Sequence, residues 1–421
     1  MATKTDLRTL VRELFDIGVR AADPAAAVND ALRREPLDRP KSGRYFVVAI
    51  GKAACPMAEA ALAHVPPGTP VTAMAVTNYE NVRDVAGCTV LGAGHPNPDE
   101  NGLRAGRLVL HLLMAAGAND HVLCLISGGG SALLPAPLPG IALADKIRVN
   151  ELMLANGLDI TETNLVRQQL SLLKGGGLAR FAAPATIRTL AVSDVIGDDP
   201  RAIASGPTAS PLGSLSDATN VLQKRGIWNE LPESVHAVLT DSVSPAQQLK
   251  AANDIAVICS NKISLEAIAN AAGDCSPQIV SGRLNGDVAQ AAGKISDFVR
   301  QSRTGSNRLL IWGGETTVNL TGTGKGGRNQ ELALRFALQN EDLPGEWVFL
   351  ACGTDGRDGP TDAAGGIVDR GTAERVRKAR GRPEMLLTNN DSNTALHLAG
   401  DLLVCGATGT NVADVALFLR A

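Results

Sequence analysis

Residues 122–135 read V-L-C-L-I-S-G-G-G-S-A-L-L-P, an apolar run that breaks into three consecutive glycines. A short continuous apolar run ending at such a breaker is the pattern of a strand buried on both faces. Gly128, Gly129 and Gly130 lack a Cβ, so a bulky anion can approach their backbone closely. A helix is expected from Ser131 onward. Its free N–H groups and positive dipole end would face the same anion, with the hydroxyls of Ser127 and Ser131 beside it. Phosphate suits this geometry, and a tight strand-to-loop turn with no ligand would be spelled the same way.

Outward from this loop the same grammar recurs. Strand-like runs at 45–50, 71–77, 88–92, 187–193, 255–260, 309–312, 318–320 and 347–351 alternate with helical patterns at 57–63, 103–116, 141–154, 160–173, 265–272 and 332–338. Residues 386–392 and 404–411 repeat the strand-to-polar-loop form, and Leu7, Leu10, Val11, Leu14, Phe15 and Val19 mark an amphipathic opening helix. Alternating strands and helices imply an α/β protein with largely parallel sheets, whose ligands sit beyond the carboxyl ends of the strands. A chain of 421 residues is long enough for more than one domain. The polar stretch at 242–248, with Pro245, marks the boundary and gives two domains, 1–245 and 250–421. A hinge is expected at 242–249, with a second crossing where a C-terminal helix packs back.

Chemistry collects where these strands end. Lys52 follows the run 45–50 and opens a helix, a place that repels a cation unless an anion is present; a lysine with its head in solvent is the alternative. His95 lies on a loop that Pro96 and Pro98 keep out of a helix, and Asp99 or Asn101 can cap the helix that follows. Asp194, Asp198 and Asp199 crowd one loop, which is costly unless a cation, a proton-transfer task or simple solvation offsets the repulsion. Lys174 before three glycines reads as the end of a helix and calls for no ligand.

In the second half, Gly313-Gly314-Glu315 ends one strand and the loop 321–331 gathers glycines with Lys325 and Arg328. The Gly/Asp loop at 353–362, with Asp355, has the composition to hold a hydrated Mg2+. Two such edges facing each other would form an interdomain cleft lined by glycine loops, cations and acids, which is the inventory of phosphoryl transfer.

Composition narrows the partners. A net charge of −3 and 3% aromatic residues give no footprint for nucleic acid. No stretch approaches the apolar length of a membrane span, and charges run through the N-terminal residues where a signal peptide would be apolar. Seven cysteines without a C-x-x-C pair read as reduced core residues, so the cytoplasm is expected. The sequence contains no G-x-x-x-x-G-K-[ST]. Residues 322–327 formally match G-x-G-x-x-G, but the preceding T-T-V-N-L-T alternates instead of forming a buried strand.

Eight motifs then stand in order along nearly the whole chain: A-I-G-K-A-A at 49–54, G-H-P-N-P-D-E-N at 94–101, I-S-G-G-G-S-A-L at 126–133, S-D-V-I-G-D-D-P at 193–200, I-A-S-G-P-T at 203–208, G-G-E-T-T-V at 313–318, G-G-R-N-Q-E-L-A-L at 326–334 and G-T-D-G-R-D-G-P-T-D-A-A-G at 353–365. Together they closely resemble the family of glycerate 2-kinases with a MOFRL C-terminal domain, some members of which are named hydroxypyruvate reductase. The matches at 389–396 and 404–411 are looser, so the resemblance assigns nothing to Asn390 or Thr410.

The resemblance implies a large Rossmann-like N-terminal α/β domain and a smaller C-terminal α/β domain. It further implies ATP and Mg2+, D-glycerate as the small-molecule substrate and 2-phosphoglycerate as the product. It places the family's essential lysine on Lys52, its essential arginine on Arg328 and its active-site acids on Asp194 and Asp355. Lys52 and Arg328 would neutralise the transferring phosphoryl group, and Ser127, Gly128, Gly129, Gly130 and Ser131 would cradle phosphate. Asp194 would orient or deprotonate the attacking hydroxyl. Gly314, Glu315 and Lys325 complete the nucleotide contacts, with Asp355 and Asp194 as metal ligands; the roles of the acids are interchangeable at this point. A homodimer is left open. The alternative from another class is an NAD(P)H-dependent hydroxypyruvate reductase using the G-x-G-x-x-G stretch.

Overall fold

The computed structural model describes residues 4–40, 42–240, 254–302 and 308–421. It divides into two compact units, Pro24–Ile258 and a second made of Met1–Asp23 with Cys259–Ala421.

In the unit Pro24–Ile258, strands β1 (Tyr45–Ile50), β2 (Val71–Asn78), β3 (Cys88–Ala93), β4 (His121–Ile126), β5 (Thr186–Val192) and β6 (Asp254–Cys259) lie in the order β3-β2-β1-β4-β5-β6. The pairs β1–β2, β1–β4, β2–β3 and β4–β5 are all parallel. Every residue of β1 is buried, and so is β4 from Val122 to Ile126, as an apolar run covered on both faces requires. Phe46, Val48, Ile50 and Cys124 pack with Val109 and Leu113 of the helix Glu100–Met114. Asp99 caps that helix, accepting the Gly102 N–H at 2.8 Å. A separate apolar cluster, with Leu152, Met153, Val166, Leu222 and Val235, joins the helices Leu143–Ala155, Ile160–Gln169, Leu215–Lys224 and Glu233–Thr240.

The second unit carries β7 (Ser276–Asp287), β8 (Arg308–Thr317), β9 (Trp347–Gly353), β10 (Gly365–Asp369), β11 (Leu402–Leu403) and β12 (Asp414–Arg420), in the order β11-β10-β9-β12-β8-β7. Here the expectation of a largely parallel sheet fails. Among the described residues only β7–β8 pairs parallel, whereas β12 runs antiparallel to both β8 and β9, and β10 antiparallel to β9 and β11. Because β12 lies between them, β8 and β9 point the same way, and their carboxyl ends meet the beginning of β12. One sheet face presents Trp347, Phe349 and Phe418 to Phe336 of the helix Arg328–Gln339, with the rings of Phe336 and Phe349 stacked at 4.1 Å.

The other face is covered by the opening helix Lys4–Ala21, whose Leu7, Val11, Leu14 and Phe15 pack with Leu265, Ile268, Leu350 and Leu417. The opening helix therefore does not belong with the first half of the chain. The expected division at 1–245 and 250–421 is corrected to Pro24–Ile258 against the remainder, because the apolar stripe of this helix finds its partner on the second sheet. Thr410 fastens the arrangement by donating its hydroxyl to the Ala22 carbonyl. The second crossing is thus at residues 23–24, and the C-terminal element that packs back is strand β12, not a helix. The hinge expected at 242–249 lies outside the described residues.

Other expectations change for local reasons. Residues 386–388 belong to the helix Pro383–Thr388, where Pro383 stands at the first position it favours. Residues 318–320 lie beyond β8, and 404–411 form an irregular loop after the two-residue β11. β7 was not anticipated because its polar, largely exposed sequence lacks a buried-strand signature.

Candidate active site

The turn after β4 gathers the candidate residues of the unit Pro24–Ile258. Gly129 takes a left-handed conformation at φ 84°, and a Cβ there would lie 3.1 Å from the His95 ring and 3.3 Å from Lys52 Cγ. On Gly128 a Cβ would lie 2.3 Å from Asp194 Oδ2, and on Gly130 it would press on Ala204 and Ile50. The three glycines are therefore needed by the side chains packed against them: Lys52 from the end of β1, His95 from the loop after β3 and Asp194 from the end of β5 converge on two adjacent residues. The parallel register makes this possible, since Ile50 pairs with Ile126 and Leu125 with Leu190. The Lys52 N–H donates to the Gly128 carbonyl at 2.9 Å, tying the two loops together. Burial first, and then the Lys52 charge, hold the His95 imidazole below its ordinary range, with Glu80 acting in the opposite sense.

Two expectations about this loop are corrected. The helix that follows is a single turn, Gly130–Leu133, cut short before Pro135, so no long dipole faces the loop. Ser127 is buried, and its hydroxyl accepts the Ala53 N–H at 3.1 Å, so it braces the loop from inside. Ser131 instead lies at the rim, sharing a hydrogen bond with Ser205 at 2.9 Å. Asp199 is bound by Arg201 at 2.7 Å, which relieves part of the acid crowding beside Asp194.

Beyond Gly129 and Ser131 opens a cavity of about 250 Å³, reached also by His95, Lys146, Arg167 and Lys174. None of these three cations was assigned to a site from the sequence. Lys174 was read as a helix end, but the helix stops at Gln169, and its ammonium donates to the Ser131 carbonyl at 2.7 Å. The signal for Lys146 was legible: it falls three residues from both Leu143 and Val149, on the buried stripe of its helix.

In the other unit the candidate residues gather where β8 and β9 end and β12 begins. Asp414 pairs in register with both Gly314 and Gly353. Arg328, the first residue of the helix Arg328–Gln339, donates Nε to Asp414 Oδ2 at 2.6 Å and Nη2 to Asp414 Oδ1 at 2.9 Å. Its Nη1 meets Glu315 Oε1 at 3.0 Å, with the Glu315 side chain 48% exposed against 10% for Asp414. Burial works against the guanidinium, but Asp414 and then Glu315 and Asp358 raise its pKa above the ordinary value. Burial pushes Asp414 itself up to about 6 against the pull of Arg328. A Cβ on Gly353 would lie 3.0 Å from Asp355 Oδ1 and 3.5 Å from Asp414 Oδ1, so Asp355 belongs to the same group. Asp414 was missed because a mixed sheet brings the start of a strand to an edge where only strand ends were sought.

Several candidates are structural. Gly314, at φ 138°, lets β7 approach, since a Cβ there would lie 2.1 Å from the Leu284 carbonyl oxygen. Asp358 is consumed as a cap, accepting the Asn329 and Gln330 N–H groups at 3.0 and 2.8 Å. In the G-x-G-x-x-G stretch, Thr321 and Gly322 donate to Asn390 Oδ1, Gly324 to the Asn389 carbonyl and Lys325 to Asp391 Oδ1. Those backbone donors are turned into the protein, which removes the feature that suggested a dinucleotide. The Lys325 side chain is exposed. Among the described residues no three His, Cys, Asp or Glu side chains form a metal cluster.

Comparison with known proteins covers both units. Residues 10–240 match a domain family of unknown function, DUF4147, and residues 308–414 match the MOFRL family. The chain is 38% identical to the D-glycerate 2-kinase of Thermotoga maritima, over 98% of each chain. It is 37% identical to the glycerate 2-kinase of Pyrococcus horikoshii, over 98% of this chain and 97% of that one. A protein of Agrobacterium vitis that carries a hydroxypyruvate reductase name is 38% identical, over 98% of this chain and 94% of its own length. The crystal structure of a glycerate kinase from Thermotoga maritima superposes with a TM-score of 0.90 at 36% identity, covering 99% of each chain.

Proposed function

The chain belongs to the family of glycerate 2-kinases with a MOFRL C-terminal domain; its reaction is transfer of a phosphoryl group from ATP to the 2-hydroxyl of D-glycerate, and we propose that Lys52, Asp194 and Arg328 carry that transfer. The observation that supports this most directly is the packing of Lys52, His95 and Asp194 against Gly128 and Gly129. A cation and an acid are there held on adjacent residues of a loop that leaves room for an anion. Asp194 accepts the proton of the attacking hydroxyl or aligns its lone pair, and Lys52 offsets the negative charge on the phosphoryl oxygens.

Arg328 serves the same reaction from the second unit. Asp414 fixes one edge of the guanidinium, Nε and Nη2, in a bidentate pair, whereas Nη1 rests on the exposed Glu315, so that donor can be handed to a phosphoryl oxygen without disturbing the anchor.

The donor set fits Mg2+ as this class of reaction uses it. The ion keeps most of its water and needs only one or two carboxylates besides phosphate oxygens, which Asp355 and Asp194 can supply. When bound it would supply positive charge that offsets the charge on the nucleotide's phosphates. Asp355 is prepared for such a role: the Arg357 N–H donates to its Oδ1 at 3.0 Å and fixes the carboxylate beside Gly353. The seven free cysteines support a cytoplasmic enzyme.

One paired assay tests the reaction. Purified protein is given D-glycerate with MgATP, and in parallel hydroxypyruvate with NADH. Turnover of the first mixture to 2-phosphoglycerate and ADP is expected; turnover of the second mixture alone would refute the kinase reading.

A further inference from the structure

The cavity beside Gly129 is charged in an unusual way. Lys146 and Lys174 are each only 4% exposed, and both line it with Arg167. Among the described residues no hydrogen-bond partner reaches the Lys146 ammonium. Arg167 spends its Nε on Asn150 Oδ1 at 2.9 Å, and Lys174 has the Ser131 carbonyl; both acceptors are neutral. Burial, and then Arg167, push Lys146 down to about 7, while burial with Lys146 and Arg167 depresses Lys174 well below its ordinary value. No carboxylate contributes to any of these shifts. Buried cations that repel one another destabilise a fold unless an anion completes them.

We infer that this cavity seats the carboxylate of the acceptor, with Lys146, Arg167 and Lys174 as its anchoring cations; the inference rests on the kinase reading given above. Size favours a compact anion. At about 250 Å³ the cavity is smaller than the roughly 300–1,000 Å³ of clefts that hold drug-sized ligands, and a nucleoside triphosphate is larger still. Position favours the acceptor. Gly129 and His95 belong both to the cavity and to the cluster that contains Lys52, and the next residue, Gly128, carries Asp194 against it. In a 2-hydroxy acid the reacting hydroxyl is one carbon away from the carboxylate. A carboxylate anchored past Gly129 therefore leaves that hydroxyl on the side of Asp194. The same cations would exclude neutral polyols, which leave all three charges uncompensated.

Steady-state kinetics on wild type, Lys146→Met, Arg167→Gln and Arg167→Lys test the assignment, together with calorimetric titration of D-glycerate without nucleotide and glycerol as the neutral control. Lys146→Met removes an unpartnered buried charge and keeps the volume, so it is expected to fold and to melt higher than wild type. It should raise KM for D-glycerate by about 10- to 100-fold, the loss of a charge-assisted hydrogen bond, with KM for ATP unchanged. Arg167→Gln should do the same, and Arg167→Lys should do less. A rise in KM for ATP instead would make the occupant a nucleotide phosphate and overturn the inference. So would unchanged glycerate affinity in Lys146→Met, or glycerol binding as tightly as glycerate. Carboxylate binding that is lost in Lys146→Met, in a wild type that fails to phosphorylate glycerate, would uphold the anion site while refuting the kinase reading.

Discussion

Asp414 holds Arg328 across 86 residues of sequence through two parallel hydrogen bonds of 2.6 and 2.9 Å. The pair joins the start of β12 to the first residue of a helix and places a guanidinium at the edge where β8 and β9 end. Asp414→Asn keeps the shape of the anchor and removes its charge. Loosening the guanidinium by even an ångström is expected to lower kcat about 100-fold, with glycerate binding little changed. Normal kcat in this variant would dismiss Asp414 as a positioning residue.

Lys52→Ala should lower kcat by about 100- to 1,000-fold, the cost of losing one donor aimed at developing charge. Lys52 is half-buried at a loop and its backbone makes the contacts that join β1 to β4. Thermal unfolding should therefore stay close to wild type. Near-normal turnover would end its catalytic role.

Gly128→Ala tests the loop by geometry. The new methyl would meet Asp194 Oδ2 at 2.3 Å and must push the carboxylate aside. Activity should fall with Asp194 still present, and a companion Asp194→Asn variant should gain little from restoring the glycine. If Gly128→Ala is as active as wild type, the carboxylate is not positioned by this contact.

Lys146 makes stability depend on pH in a stated direction. Its ammonium titrates near 10.4 in an unfolded chain and near 7 in the folded protein. Between those values the unfolded chain holds a proton that the folded chain has released, so stability rises with pH across the window and the full penalty is present below it. The difference in unfolding free energy between Lys146→Met and wild type should shrink by about 2 kcal/mol from about pH 7 to about pH 9. Urea unfolding at the two pH values measures it. A pH-independent difference would show that Lys146 is not desolvated.

Removing residues 1–23 should expose the sheet face now covered by Leu7, Val11, Leu14 and Phe15. Each fully buried side chain of this kind contributes about 1.5–3 kcal/mol, so the shortened chain is expected to unfold early or precipitate. A soluble truncated protein with an unchanged melting temperature would show that the opening helix is dispensable.

Local sequence determined the strands β1, β4 and β9 and the loops that follow them, because an apolar run that ends in glycine and polar residues carries its meaning within about ten positions. Lys52, Asp194, Arg328 and the three glycines were legible for that reason, and their motifs were enough to point to the family. Asp414 and Lys174 were not, since each acquires its role from a distant partner: a strand that inserts antiparallel between β8 and β9, a carbonyl 43 residues away. The same reason moved the opening helix to the second unit. An amphipathic stripe states that it must be buried, and only the packed structure decides which sheet buries it.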